Sequence, residues 1–95
     1  MHGNGICRLS NNDVYQGEFL DGLRNGRGEY IWSDGECYLG EWKCDKKHGI
    51  GKKTWPNGEV YSGEYAGDMM HGYGTKTFTN GPQQQGFWIR NTFQL

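Results

Sequence analysis

Apolar and polar residues alternate with a period of two along Tyr38-Leu39-Gly40-Glu41-Trp42, so Tyr38, Gly40 and Trp42 share one face of an extended segment. Leu39, Glu41 and Lys43 take the other. Gly51, Lys53 and Trp55 share a face of a second segment by the same count, and no stretch keeps the 3.6-residue period of a helix. A shift of 23 residues upstream finds the pattern again as Tyr15-Gln16-Gly17-Glu18-Phe19, then Asn25-Gly26-Arg27-Gly28. The same shift downstream finds Tyr61-Ser62-Gly63-Glu64-Tyr65, then His71-Gly72-Tyr73-Gly74. The chain reads as a tandem array whose unit is one β-hairpin. A half unit at 2–14 precedes full units at 15–37, 38–60 and 61–83, and 84–95 holds a first half with a short tail.

Fifteen of the 17 glycines fall into four columns at this spacing: 17/40/63/86, 3/26/49/72, 5/28/51/74 and 35/58/81. Glycine is required where φ is positive or where another segment passes close by, so the period reflects recurring backbone constraints. Asp34-Gly35, Asn57-Gly58 and Asn80-Gly81 predict tight primed turns joining one unit to the next. Where the first unit has Gly22, the next two have Cys44-Asp45 and Gly67-Asp68, which predicts differently shaped loops there. The expected fold is all-β: an elongated, single-layer antiparallel β-meander of about eight strands at about 4.8 Å spacing, on the order of 40 Å long.

A one-layer sheet has no second layer to cover it, so stability falls to ladders of side chains between units. Tyr15/Tyr38/Tyr61, Phe19/Trp42/Tyr65/Trp88 and Leu9/Trp32/Trp55/Phe78 are the candidate ladders on one face. Part of that face is expected to remain open as a groove for a partner. The candidate groove residues are Tyr30, Trp32, Tyr38, Trp42, Trp55, Tyr61, Tyr65, Phe78 and Trp88.

Composition sharpens this picture at two points. A hydrophobic content of 34% and a mean hydropathy of −0.92 are low for a folded chain, while 15% aromatic residues supply large burial per side chain. A net charge of −1 gives no global attraction to nucleic acid. No segment approaches the ~20 apolar residues of a membrane span. Cys7, Cys37 and Cys44 are odd in number and occupy three columns, which argues against a disulfide framework and for a reducing, intracellular, cytoplasmic location.

Candidate chemistry is sparse. Glu18, Glu41 and Glu64 recur without a nucleophile or matched partner, so they are expected to pair with backbone amides or lysines rather than to catalyse. His2, His48 and His71 share a column with Asn25 about two strands apart, too far for one chain to converge them on a metal. A turn-stabilising hydrogen bond is the expected role. No cofactor or metal is expected. Lys43, Lys46, Lys47, Lys52 and Lys53 give the middle unit a net charge of +2 against Glu41, Asp45 and Glu59. That cluster is the alternative site, a patch for acidic phospholipid headgroups of weak, salt-sensitive affinity.

The recurring Tyr-x-Gly-Glu-aromatic, His-Gly-x-Gly and Asn/Asp-Gly elements resemble the membrane occupation and recognition nexus (MORN) repeat over essentially the whole chain. The resemblance implies a non-catalytic scaffold in a cytoskeletal, ciliary or membrane-contact assembly, and similar repeats also occur joined to lipid kinases and methyltransferases. The implied partner is a protein: an amphipathic helix or peptide laid along the groove, or another repeat protein joined end to end. At the C-terminal half unit Gln84 replaces the column Tyr and Phe87 the column Glu. An apolar Phe87 predicts a covered face there, the cover being Ile89, Phe93 and Leu95 or another protein. A start on a second strand and a finish on a first strand predict one open edge at each end.

Overall fold

The computed structural model describes residues 3–95. Its strands are β1 (Gly3–Arg8), β2 (Val14–Leu20), β3 (Leu23–Ile31), β4 (Cys37–Lys43), β5 (Lys46–Thr54), β6 (Val60–Ala66), β7 (Met69–Thr77), β8 (Gln83–Ile89) and β9 (Thr92–Phe93). They form one antiparallel sheet in chain order, measuring 42 × 24 × 16 Å, so the expected meander and its length are both found.

Each hairpin is built around a tyrosine lying across bare backbone. Gly40 pairs with Gly51, and a Cβ on Gly51 would strike the ring and hydroxyl of Tyr38. The Tyr38 hydroxyl donates to the Glu41 carbonyl at 2.8 Å, as Tyr15 does to Glu18 and Tyr61 to Glu64 at 2.9 Å. Beyond the glycine pair the ladder bulges. Trp42 next pairs with Lys47, so Glu41 faces three residues, His48, Gly49 and Ile50. The Glu41 carboxylate closes the gap by accepting the Ile50 N–H at 2.7 Å. Glu18 and Glu64 do the same for Arg27 and Tyr73 at 2.7 Å. The bulge explains His-Gly-x-Gly: Gly49 takes φ +86° beside Glu41, and Gly51 leaves room for Tyr38. Charged acceptors of backbone N–H are the role expected of this glutamate column.

The turns differ from expectation. Both central residues of Asp21-Gly22, Cys44-Asp45, Gly67-Asp68 and Arg90-Asn91 have positive φ, the signature of a tight type I′ turn. The tight primed turns therefore lie within units, and those at Cys44-Asp45 and Gly67-Asp68 have the same form as that at Asp21-Gly22. Asp and Asn tolerate this region, and here their side chains are also used. Asp45, Asp68 and Asn91 accept from the backbone N–H of Arg24, Lys47 and Met70 at 2.7, 2.8 and 2.8 Å. Each turn is thereby tied to the hairpin before it. Asp34-Gly35 and Asn57-Gly58 instead close longer loops, with Trp32 N–H to Glu36 carbonyl and Trp55 N–H to Glu59 carbonyl both at 2.9 Å.

The expected ladders of like residues are interleaved instead. Like columns stand two strands apart, about 9.6 Å, so unlike rings fill the interval. Phe19, Tyr15, Trp42, Tyr38, Tyr65, Tyr61 and Trp88 follow one another edge to face at centroid distances of 5.1–5.6 Å. Phe93 extends the line at 5.1 Å from Trp88. The tail thus lies on the aromatic face and does not cover Phe87, which is 64% exposed on the opposite face against the Tyr73 edge. Nor is the last full strand left wholly open, since β9 pairs with Trp88 and Ile89.

Gly51→Ala should cost about 2–3 kcal/mol, because its methyl group must displace a buried ring. Gly22→Ala, with open space around it but φ +80°, should cost only about 1 kcal/mol. Urea unfolding followed by tryptophan fluorescence gives both values; equal costs would remove the tyrosine-on-glycine contact from its central place.

Candidate functional site

Six of the nine candidate groove residues form the floor of the aromatic face: Tyr30, Tyr38, Trp42, Tyr61, Tyr65 and Trp88 are 0–7% exposed. Trp32, Trp55 and Phe78 are half-buried and stand along one margin of that floor. The indole N–H of Trp42 donates to the Gly28 carbonyl at 3.0 Å, and that of Trp88 to Gly74 at 3.2 Å. Tyr65 takes the same column in the intervening unit, but its buried hydroxyl finds no partner among the described residues.

The five candidate lysines do not make one patch. Lys43 and Lys46 flank the Cys44-Asp45 turn, and Lys52 is exposed on the face of Leu39 and Ser62. Lys47 and Lys53 lie on the aromatic face. Lys47 is 9% exposed, with its ammonium over Trp32 and 3.7 Å from Asp68. Burial pulls its pKa down from 10.5, and Asp68 partly opposes this. Lys53 pairs with Glu36 at 3.0 Å and lies between Trp32 and Trp55, at 5.1 and 5.2 Å from their ring centroids. Alternation already separates odd from even positions here, so a single lysine surface was never compatible with a strand.

Residues that sequence reasoning passed over complete the margin. Lys76 bridges Trp55 and Phe78 at 4.6 and 5.2 Å and pairs with Glu59 at 3.8 Å. The Arg24 guanidinium covers Tyr30 and Trp42 at 5.0 and 4.7 Å. In the first unit Tyr30 takes the lysine position, its hydroxyl donating to Asp13 at 2.7 Å and holding that carboxyl below its usual 3.8. These columns, 24/47 and 30/53/76, were available at the same 23-residue spacing that marked the glycines.

Three hollows recur along this face. Arg24, Trp32, Trp42 and Asp45 line one of 210 Å³; Lys47, Trp55, Tyr65 and Asp68, each 23 residues later, line one of 140 Å³. Leu9, Phe19 and Gly22, each 23 residues before Trp32, Trp42 and Asp45, line the third, of 240 Å³. A larger hollow of 510 Å³ lies over Gly17 and Gly28 on the opposite face, between Arg27 and Leu39.

In the histidine column, Asn25 accepts from Cys44 N–H at 3.2 Å, and Nδ1 of His71 from Arg90 N–H at 3.3 Å. This is the turn-stabilising bond expected of that column. His48 is exposed, and His2 lies outside the described residues. No group of three or more His, Cys, Asp or Glu that could hold a metal occurs among the described residues.

The MORN repeat family model matches residues 1–14, 15–37, 38–60 and 61–83. The chain belongs to the MORN repeat family. Comparison with curated proteins finds no match. MORN repeats are in general modules for contact with proteins or membranes. In this MORN array the units are joined by the β3–β4, β5–β6 and β7–β8 backbone ladders and, through side chains, by the aromatic chain and the aspartate-tied turns; the recurring hollows sit where those two side-chain features meet.

Two predictions follow from the buried ionisable groups. Met70 is buried one unit after Lys47 in the same column, so Lys47→Met should raise stability by about 1 kcal/mol; a clear loss in thermal unfolding would mean that the charge is needed. Burial, reinforced by the Asp13 hydrogen bond at Tyr30 and the Glu64 charge at Tyr61, pushes both phenols from 10.0 up to about 12. Tyr15, Tyr38 and Tyr65 are raised as well, chiefly by burial. The unfolded chain releases these protons near pH 10, so the stability is complete below pH 10 and is lost as pH rises toward 12. In this alkaline range Lys47, with its lowered pKa, acts in the opposite direction. With the exposed Tyr73 changed to Phe, tyrosinate absorbance should therefore appear together with unfolding; smooth titration of the folded Tyr73→Phe chain near pH 10 would contradict the burial.

Proposed function

We propose that this array is a non-catalytic scaffold that holds a protein partner along the aromatic face, as a component of a cytoskeletal or ciliary assembly. The observation that carries the reading is the recurrence of one hollow in three successive units, bounded by Trp32, Trp55 and their counterpart Leu9. Because each unit repeats the same packing, a partner laid along the face meets equivalent openings at regular intervals. The recurring glutamates are committed to backbone N–H groups, which supports a structural rather than catalytic use. The assembly and cellular place rest on family resemblance alone. The acidic-lipid reading loses support because Lys46 and Lys52 face away from Lys47 and Lys53.

Partner capture by crosslinking from native lysate tests this. One dominant partner should be captured, and Trp32→Ala with Trp55→Ala should abolish its capture while circular dichroism still reports a folded sheet. Lys43→Gln, Lys46→Gln and Lys52→Gln together should leave capture unchanged. Capture that survives the tryptophan changes but is lost with the lysine changes, or binding to anionic vesicles alone, would overturn the scaffold reading.

A further inference from the structure

Asparagine is followed by glycine at 4–5, 25–26, 57–58 and 80–81. A glycine in that place carries no side chain to hinder its backbone nitrogen, which can therefore reach the asparagine side-chain carbonyl carbon. The fold holds these pairs differently. Asn4 and Asn25 lie inside β1 and β3, where ladder pairing fixes the backbone, and the Asn25 side chain also accepts from the Cys44 N–H at 3.2 Å. Asn57 and Asn80 lie exposed in loops that join one unit to the next.

Those two loops share one backbone form. Gly58 N–H donates to the Trp55 carbonyl at 2.9 Å and Gly81 N–H to the Phe78 carbonyl at 3.0 Å. Trp55 N–H and Phe78 N–H donate to the carbonyls of Glu59 and Pro82, both at 2.9 Å. Both glycines have positive φ, +91° and +108°. The side chains separate the two loops. Asn11, Asp34 and Asn57 each accept from the backbone N–H two residues on, that of Asp13, Glu36 or Glu59, at 3.0, 2.9 and 3.0 Å. In the fourth loop the residue two on is Pro82, which has no N–H to donate. The Asn80 amide has no hydrogen-bond partner among the described residues.

We infer that Asn80 is a site of spontaneous deamidation, left labile because Pro82 removes the bond that restrains its counterparts. The Gly81 nitrogen attacks Cγ of Asn80 and gives up its proton; the Cγ–Nδ2 bond breaks and the side-chain nitrogen leaves, with that proton, as ammonia. Water then opens the five-membered succinimide at either carbonyl, giving aspartate or isoaspartate. Either product adds one negative charge to the net −1 of the chain. Aspartate reproduces the residue type found at Asp34. Isoaspartate routes the main chain through the side-chain carboxyl and so adds a carbon to the connection that sets β8, and with it Trp88, against β7.

The folded chain is incubated at neutral pH in heavy-oxygen water, then digested, and conversion at each asparagine is followed by mass spectrometry; the heavy oxygen marks conversions that precede digestion. The glycine N–H must leave its carbonyl in both loops, so that cost is common to them. Asn80 should convert about fivefold faster than Asn57, the scale of one hydrogen bond, and Asn4 and Asn25 should be slower still. In guanidinium chloride the ratio of Asn80 to Asn57 should fall toward parity. Pro82→Ala restores the N–H and should slow Asn80 to the rate of Asn57, leaving Asn57 unchanged, while circular dichroism still reports a folded sheet. Equal rates at Asn57 and Asn80 in the folded chain, faster conversion at Asn4 or Asn25, a ratio unchanged by unfolding, or a Pro82→Ala chain in which Asn80 reacts as fast as before would each overturn the inference.

Discussion

The rest of the molecule depends on a tyrosine ring lying flat across two paired glycines. Tyr38 covers Gly40 and Gly51 so closely that no side chain fits at the second position, and its hydroxyl is held by the carbonyl of Glu41, one residue beyond the first. The contact places a large apolar surface on a sheet that has no second layer. It also sets where the strand pairing must break, because the ladder bulges immediately after the glycine pair. The glutamate carboxylate then satisfies a backbone N–H that the bulge would otherwise leave to solvent, a charge-assisted bond at an exposed position.

From that contact the array propagates. Each tyrosine presents one edge to the aromatic of its own unit and another to that of the next, as Tyr15 does to Phe19 and Trp42. A second link joins neighbours at the turns, where Asp45 and Asp68 accept from backbone groups of the preceding hairpin. Both links connect nearest neighbours, so stability accumulates unit by unit as in other repeat folds. The hollows are a by-product of this geometry. Two units meet along rings of fixed size, and what remains between Trp32, Trp42 and Asp45 must remain again between Trp55, Tyr65 and Asp68.

Substitutions within a column show how the device tolerates variation. Tyr65 stands where Trp42 and Trp88 bond a carbonyl, and it keeps the edge-to-face packing but leaves its hydroxyl unpartnered. Met70 and Phe93 take the column of Arg24 and Lys47, so the same slot over the floor accepts a cation or an apolar chain. Tyr30 with Asp13 repeats in neutral-donor form the contact that Lys53 makes with Glu36. The slot requires reach and a thin cross-section, and chemistry is secondary.

Order along the chain by itself determined the period, the hairpin unit, the face of each residue and the glycine columns. Strand alternation and backbone conformation are local properties, legible over a few residues of Tyr38-Leu39-Gly40-Glu41-Trp42. Alternation also held the separation of Lys47 and Lys53 from Lys46 and Lys52, although proximity in sequence suggested one patch. Only the tertiary structure decided that Trp42 is floor while Trp55 is margin, since both share a face and differ in what lies over them. Trp42 is enclosed by Tyr15 from one unit and Tyr38 from its own, whereas Trp55 meets lysine ammonium groups from two. The placement of the primed turns was likewise tertiary. Asp45 holds its left-handed conformation in concert with the backbone of Arg24, 21 residues earlier, and no local pattern announces a bond of that reach.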